Sequence, residues 1–229
     1  RRGIPHCVIS KRDGTDFLDL AQTKKLFDAE KPDAVINCAA VIGGLQFVHE
    51  QPGELLFQNI LLNLHLMEAA RQAGVRLYVN PLANCSYPGK ATVFDEDEWW
   101  DGPLHESVLA FGFTKKASWV QAWAYARQYK FPTTNLILPN MYGPGDYFDP
   151  VRSHALGALI MKFVEAHEKH LPNVVVWGDG TPIREWLYVE DAAELLVKAL
   201  DTSAILGPVN VGIGKGISIF DLANLVKEA

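Results

Sequence analysis

Apolar residues in the first 138 positions form two kinds of pattern that alternate along the chain. Short continuous runs, which indicate buried strands, fall at residues 7–10, 34–37, 75–79 and 134–138. Between them, apolar residues recur at three- and four-residue spacing, which predicts helices over residues 16–29, 52–73 and 110–129, with Gly74 ending the second. Strands that alternate with helices of this length indicate a parallel sheet covered on both faces.

The pattern becomes less regular after residue 138. It predicts a helix over residues 155–170, a strand over 174–177, a helix that Glu190 and Asp191 cap and that runs to Leu200, a strand over 209–211 and a last helix from Ile219. We therefore expect a doubly wound α/β domain over residues 1–138, with a smaller and interleaved C-terminal part over 139–229.

The start of the chain lacks a feature that a doubly wound nucleotide-binding domain should have. Such a domain begins with a strand, a glycine-rich turn and a helix whose N-terminus holds the pyrophosphate. Gly43-Gly44 and Gly178-Asp-Gly180 follow later elements, and residues 7–10 resemble the second strand of such a domain. We expect that the first βα unit is absent from this chain and that its C-terminal part is incomplete; a complete protein with an unusual start is the alternative.

Composition narrows the possible partners. A hydrophobic content of 48% and a charged content of 21% are ordinary for a globular protein, and the net charge of −6 argues against a nucleic-acid partner. No apolar run reaches the roughly 18–20 residues that cross a bilayer, and we expect no membrane contact. Three widely spaced cysteines suggest free thiols in a cytoplasmic protein and no metal site.

Two segments carry the candidate chemistry. Residues 83–89 (Ala-Asn-Cys-Ser-Tyr-Pro-Gly) follow a predicted strand and place a thiol, Cys85, at its end. Residues 110–116 (Ala-Phe-Gly-Phe-Thr-Lys-Lys) open a predicted helix. Phe111 and Lys115 are four residues apart, so they share one face of that helix. We expect the two segments to meet.

Several motifs in a fixed order carry a resemblance to a known family. They are 37–44 (Asn-Cys-Ala-Ala-Val-Ile-Gly-Gly), 58–59 (Gln-Asn), 85–88 (Cys-Ser-Tyr-Pro), 138–144 (Leu-Pro-Asn-Met-Tyr-Gly-Pro), 153–154 (Ser-His) and 174–185 (Val-Val-Val-Trp-Gly-Asp-Gly-Thr-Pro-Ile-Arg-Glu). With them the chain resembles the extended short-chain dehydrogenase/reductase family, which includes NAD-dependent epimerases and dehydratases. The motifs are most similar to those of its 3,5-epimerase/4-reductases that act on GDP-4-keto-6-deoxymannose.

The resemblance implies a Rossmann-type fold whose first part binds NAD or NADP. Arg12 would bind a 2′-phosphate, which slightly favours NADP, although a solvated turn explains Arg12 equally well. The remaining cofactor positions implied by the family are Asp16, Ala39, Ala40, Val41, Asn59, Lys115, Asn140 and Met141. Asn59 also lies on an apolar helix face and so needs a buried hydrogen-bond partner.

The reductase chemistry implied by the family is incomplete in this sequence. The family uses a Ser or Thr, a Tyr that protonates the sugar carbonyl, and a Lys four residues later that lowers the pKa of the Tyr. Lys115 is present, but Phe111 occupies the Tyr position and Ala83 the Ser position. Phe111 could be an engineered substitution, the chain could bind its cofactor without normal turnover, or the hydroxyl of Ser86 or Tyr87 could substitute.

The epimerase positions are better preserved. Cys85 and His154 match the family's acid/base pair, which removes a proton next to a ketone and returns one on the opposite face. The enolate that forms needs a hydrogen-bond donor, for which Asn84 or Ser86 is available.

The second part, residues 139–229, would mainly bind the nucleotide sugar. Lys162, Trp177 and Arg184 match family positions that contact the phosphates and the base. The resemblance favours a GDP-sugar, and it implies a homodimer formed through the helices over 52–73 and 110–129. The alternatives are a non-catalytic nucleotide-sugar or dinucleotide binding protein on the same fold, or a nucleotide-sugar 4-epimerase or dehydratase.

Overall fold

The computed structural model describes residues 3, 5–149 and 152–229, except for the side chain of Leu45. The helices are α1 Leu20–Glu30, α2 Leu45–Glu50, α3 Pro52–Gln72, α4 Leu109–Tyr129, α5 Ala155–Glu168, α6 Val189–Lys198 and α7 Ile219–Glu228. The strands are β1 Ala34–Ile36, β2 Leu77–Ala83, β3 Thr133–Leu138, β4 Asn140–Tyr142, β5 Ile183–Tyr188, β6 Pro208–Asn210 and β7 Gly216–Ser218. Short 3-10 helices include Lys11–Asp13, Asn84–Ser86, Glu96–Glu98 and Glu106–Val108.

The main sheet has four strands in the order β1-β2-β3-β6, and every neighbouring pair is parallel. Successive residues of β2 face opposite layers because side chains alternate along a strand. Tyr78 packs with Leu66 and Met67 of α3, whereas Leu77 and Val79 pack with Leu196 of α6. The sheet is therefore covered by helices on both faces, and the predicted α/β fold is confirmed.

A second, smaller sheet lies in the later part of the chain. It has the order β4-β5-β7, in which β4 and β5 are parallel and β5 and β7 antiparallel. Trp186 of β5 packs with Leu159 of α5 and Leu222 of α7. Since β6 returns to the main sheet, the segments after residue 138 contribute to both sheets.

Two predicted strands are wrong. Residues 7–10 are outside any strand. β1 is the edge of the main sheet, and in the described part of the chain no further strand pairs with it on that side. Residues 174–177 are also irregular, and the side chains of Val175 and Trp177 are 70% and 72% exposed. The strand that forms after these residues is β5, whose sequence mixes polar and apolar residues. It is stabilised by pairing with β4 on one side and β7 on the other.

The long helices agree closely with the prediction. α3 and α4 have 21 residues each, and Gly74 has a φ of 71° just beyond α3, a conformation that glycine adopts without strain. None of the helices in the described residues is long and apolar enough to span a membrane. The same residues contain no group of three or more potential metal ligands.

Candidate functional site

The candidate site forms where the Asn84–Ser86 turn, directly after β2, contacts the first turns of α4. Gly112 makes this contact possible, since a Cβ atom at this position would lie 2.6 Å from the carbonyl oxygen of Cys85. The two segments singled out in the sequence therefore meet, as predicted. They do so at the carboxyl edge of the parallel sheet, where ligands bind in open α/β folds.

Lys115 lies beneath this contact and is only 8% exposed. Its Nζ donates a hydrogen bond to the carbonyl oxygen of Pro81 at 3.2 Å and lies 5.3 Å from the centre of the Phe111 ring. Burial lowers the pKa of Lys115, and the nearby thiols of Cys85 and Cys38 act in the opposite direction. An ammonium has three N–H donors, so further donors are available for a ligand at this edge.

Cys85 carries a protonated thiol at neutral pH. Burial raises its pKa to about 11, and the positive charge of Lys115 offsets only part of that effect. A reactive thiolate requires an electropositive setting. Lys115 supplies such a setting, but burial raises the pKa of Cys85 more than the charge of Lys115 lowers it.

The hydroxyl groups considered as substitutes are already engaged. Ser86 Oγ donates to the carbonyl oxygen of Ala83 at 2.5 Å and accepts from Nε1 of Trp99 at 2.9 Å. Tyr87 Oη donates to Oδ1 of Asn210 at 3.0 Å. Within the described residues, the side chain of Asn84 has no hydrogen-bond partner, so this amide is the free donor in the turn.

Asn59 has hydrogen-bond partners, as a buried polar side chain on an apolar face requires. It is 1% exposed, its Oδ1 accepts from the backbone N–H of Val41 at 2.9 Å, and its Nδ2 donates to the Val41 carbonyl oxygen at 2.8 Å. This two-point contact fixes the loop after β1, which also carries Ala39 and Ala40. The side chain of Asn59 therefore holds the backbone of the predicted cofactor loop in place.

The other residues predicted to hold the adenosine, Arg12 and Asp16, lie before α1, where Arg12 is exposed and Asp16 half-buried. Arg12 is in the Lys11–Asp13 helix, where the side chain of Ser10 caps its backbone N–H. Asp16 accepts a hydrogen bond from the backbone N–H of Leu18 at 3.1 Å. The guanidinium of Arg12 is exposed, which suits either contact with a phosphate or a solvated turn.

His154 lies at the N-cap of α5, and its side chain is exposed. No hydrogen bond joins it to Cys85 in the described residues. Its neighbour Ser153 fixes the preceding loop by donating to the carbonyl oxygen of Tyr147 at 2.6 Å.

Asn140 and Met141, which were predicted to border the nicotinamide, differ in their contacts and exposure. Asn140 donates from Nδ2 to the backbone carbonyl oxygen of Glu185 at 3.1 Å, whereas Met141 is 42% exposed. Both lie on β4, in the smaller sheet.

Two of the three predicted substrate residues form one cluster. Lys162 Nζ lies 4.5 Å from the centre of the Trp177 ring and donates to the carbonyl oxygen of Val175 at 2.9 Å. Trp177 offers an exposed ring face beside this cation. Arg184 is exposed and donates to the carbonyl oxygen of Ile183 at 2.8 Å.

Sequence reasoning missed two residues next to the site. Lys116 and Trp99 are both buried, and Trp99 bonds directly to the Cys85 turn through Ser86. The only sequence signal was a pair of tryptophans in an otherwise acidic loop, followed by a second lysine beside Lys115.

This architecture is that of a Rossmann-type nucleotide-binding protein, with a lysine and a cysteine at the ligand-binding edge of the sheet. Comparison with known proteins makes the assignment specific. Residues 6–212 match the model of the NAD dependent epimerase/dehydratase family. The chain belongs to this family, and the predicted identity as an NAD(P)-dependent epimerase or oxidoreductase is confirmed.

Individual relatives agree with the family assignment. The chain is 31% identical to GDP-L-fucose synthase from Escherichia coli K12, with all of the chain aligned to 74% of that protein. It is 33% identical to probable GDP-L-fucose synthase 1 from Oryza sativa subsp. japonica, over 99% of the chain and 70% of that protein. The solved GDP-L-fucose synthetase from Naegleria fowleri with bound NADP superimposes with a TM-score of 0.86 at 26% identity, covering 96% of this chain and 68% of that one.

Proposed function

We propose that this chain acts as an NAD(P)-dependent GDP-sugar epimerase/reductase that epimerises efficiently and reduces poorly. The observation that carries the proposal is the contact at Gly112, which brings the Cys85 turn against the helix that holds Lys115. Relatives named GDP-L-fucose synthase, at 31% and 33% identity, support the substrate class.

The residues around the main sheet suit a dinucleotide. Ala39 and Ala40 are small enough to let a ligand approach the loop that Asn59 holds, and Lys115 has spare N–H donors at the same edge. Arg12 and Asp16 would hold the adenosine, and Asn140 and Met141 would border the nicotinamide. When bound, the cofactor supplies or accepts a hydride.

Epimerisation needs one group that removes a proton from the carbon next to a ketone and another that returns a proton on the opposite face. Since burial keeps Cys85 protonated, we assign it as the donor and the His154 imidazole as the acceptor. As the C–H bond breaks, the proton passes to His154, the C–H electron pair forms the C=C bond of an enolate, and the π pair of the carbonyl moves to its oxygen. The Asn84 amide stabilises this oxygen, and the S–H proton then passes to carbon as the carbonyl re-forms.

Reduction lacks its usual acid. Phe111 occupies the position over Lys115 from which a phenol would donate, and neither Ala83 nor Phe111 has a hydroxyl. Ser86 and Tyr87 already use their hydroxyl protons in other bonds. We therefore propose that hydride transfer to the keto-sugar is slow in this chain.

The nucleotide diphosphate of the substrate would bind in the smaller part of the chain, residues 139–229, with residues 1–138 serving the dinucleotide. Lys162 and Trp177 are in contact and offer a cation next to an aromatic face, which suits a phosphate next to a base. Arg184 would add a bidentate phosphate contact if its side chain turned from the Ile183 carbonyl.

We also propose a cytoplasmic homodimer. Exposed apolar side chains on α3 and α4 support the dimer: Phe57 is 60%, Phe113 52% and Trp123 37% exposed. Three free cysteines support a reducing compartment. Sedimentation of Phe57→Asp as a smaller species than the wild type would support this interface, and unchanged sedimentation would contradict it.

A second candidate function is a non-catalytic nucleotide-sugar or dinucleotide binding protein. The missing hydroxyls at residues 83 and 111 favour it, whereas the retained Cys85 and His154 favour the first function. Tight binding of ligand with neither proton exchange nor hydride transfer would support this function over the first.

Proton exchange from the substrate tests the proposed function. Full-length protein loaded with NADPH would be incubated with GDP-4-keto-6-deoxymannose in deuterated water, and deuterium at C3 and C5 would be measured by NMR. We expect incorporation that falls at least about 100-fold in Cys85→Ala and His154→Ala, the range of general acid–base catalysis. The matched controls are Cys38→Ala and His167→Ala, which should retain exchange. Folded, cofactor-loaded protein without exchange would refute the epimerase activity.

A further inference from the structure

Lys116 points away from the cofactor edge, unlike its neighbour Lys115. Its side chain is 5% exposed, and its Nζ donates a hydrogen bond to the backbone carbonyl oxygen of Trp99. The same Nζ lies 4.5 Å from the centre of the Trp99 ring and 4.1 Å from that of Trp100. Trp119 packs edge-on against Trp99, with 5.7 Å between the ring centres. A lysine of α4 thus anchors the loop that carries the two tryptophans.

Trp99 extends this anchor to the Cys85 turn. It is fully buried, and its Nε1 donates to Ser86 Oγ at 2.9 Å. Ser86 Oγ in turn donates to the carbonyl oxygen of Ala83 at 2.5 Å. These two bonds connect both ends of the Asn84–Ser86 turn, which has Cys85 at its centre.

The direction of these bonds is fixed by chemistry. An indole N–H can only donate, so Ser86 Oγ must accept from Trp99, and its single proton is then directed at Ala83. Ser86 has no proton left for a ligand. Its hydroxyl therefore closes the turn.

The turn also contacts α4. Gly112 of α4 lies so close to the carbonyl oxygen of Cys85 that a Cβ atom would be 2.6 Å from it. The turn thus contacts α4 at Gly112 and the indole of Trp99 through Ser86.

We propose that Trp99, anchored by Lys116, is a positioning residue that fixes the Cys85 thiol for proton transfer. This role rests on the proposed epimerase function, because it gives the thiol a defined orientation toward a substrate carbon. A small displacement of a reacting group is enough to lower a catalysed rate strongly.

The test compares two tryptophans of the same cluster. Trp99→Phe keeps an aromatic ring and removes the N–H that bonds Ser86, whereas Trp100→Phe removes an N–H that makes no bond to the turn. The first readout is the rate at which iodoacetamide alkylates each cysteine of the full-length protein, resolved by peptide mass spectrometry across a pH series. Cys7 and Cys38 serve as internal references.

We expect Trp99→Phe to change the Cys85 alkylation rate at least about fivefold and to shift its pH profile, with Cys7 and Cys38 unchanged. In the exchange assay, kcat should fall about tenfold and KM change less than about twofold, as for loss of alignment without loss of binding. Trp100→Phe should match the wild type in both assays. Equal Cys85 alkylation rates and pH profiles in Trp99→Phe and Trp100→Phe would overturn the proposal.

Ser86→Ala provides an independent version of the test if Trp99→Phe does not fold. It removes the same bond with a smaller change of volume and should shift Cys85 alkylation in the same way; an unchanged profile would overturn the positioning role. The alkylation readout does not depend on turnover. A wild-type protein without exchange whose Cys85 still responds to Trp99→Phe would refute the epimerase function and leave the anchoring of the turn supported.

Discussion

Restoring the phenol at residue 111 should restore reduction. Phe111 is half-buried in the first turns of α4, and its ring centre is 5.3 Å from Nζ of Lys115. Phe111→Tyr adds one hydroxyl at the edge of a ring that is already in place. The substitution therefore adds the missing proton donor with little change in packing.

The size of the effect follows from this geometry. The Phe111 ring centre lies 5.3 Å from Nζ of Lys115, and at an effective dielectric constant of about 20 a negative charge about 5 Å from an ammonium gains about 3 kcal/mol. This interaction lowers the pKa of the new phenol and makes it a better acid at neutral pH. A positioned general acid contributes about 100-fold to 10,000-fold to a rate, equivalent to about 3–5 kcal/mol of barrier. We expect reduction to rise at least about 100-fold.

The assay follows the oxidation of NADPH with GDP-4-keto-6-deoxymannose as substrate, using full-length protein. Phe113→Tyr is the matched control, since it adds the same hydroxyl two residues away on an exposed side chain of the same helix. Proton exchange at C3 and C5 should be similar in all three proteins. A reduction rate of Phe111→Tyr equal to that of Phe113→Tyr would refute the reasoning and mean that another donor serves the reaction.

Three further substitutions test the structure around the site. Asn59→Leu leaves three backbone groups without their side-chain partner and should lower the free energy of unfolding in urea by about 2–4 kcal/mol; a change below about 0.5 kcal/mol would contradict the assigned bonds. Burial lowers the pKa of Lys116 from 10.5 to about 8, so between these pH values the unfolded chain binds more protons and stability should rise with pH. In urea unfolding at a series of pH values, the free energy of unfolding of Lys116→Met should lack this rise. The same pH dependence in Lys116→Met and in the wild type would refute the lowered pKa of Lys116. Gly112→Ala places a methyl group against the Cys85 carbonyl oxygen and should lower exchange at least about tenfold. Gly53→Ala, where a Cβ atom meets nothing within 4 Å, should retain exchange, and equal rates in the two variants would contradict the close contact.

Local sequence patterns predicted the parts of the site that depend on one element. Phe111 and Lys115 share a helix face because they are four residues apart, and the structure places the Lys115 ammonium over the Phe111 ring. Asn59 was recognisable as a polar residue on an apolar face, and it bonds to the backbone of Val41. Periodicity is sufficient for such statements, since neighbours within one helix need no knowledge of the rest of the fold.

Contacts between segments that are distant in sequence could not be predicted from local periodicity. Residues 174–177 have the composition of a strand but no ladder partner, whereas β5 forms because β4 and β7 pair with it. The bond from Trp99 to Ser86 joins two loops, and its consequence for the Ser86 hydroxyl is visible only when both bonds of that oxygen are known. The sequence offered Asn84 or Ser86 as the enolate donor, and the two bonds of the Ser86 hydroxyl are the reason why we propose Asn84.

The central claim is that this chain exchanges substrate protons much faster than it transfers hydride. One NMR time course can measure both in the same sample of full-length protein with NADPH, GDP-4-keto-6-deoxymannose and deuterated water. Deuterium at C3 and C5 reports epimerisation through Cys85 and His154, and the appearance of the 4-hydroxy sugar reports reduction. We predict that exchange exceeds reduction at least about 100-fold, the contribution of the acid missing at Phe111. Reduction that keeps pace with exchange would contradict this claim.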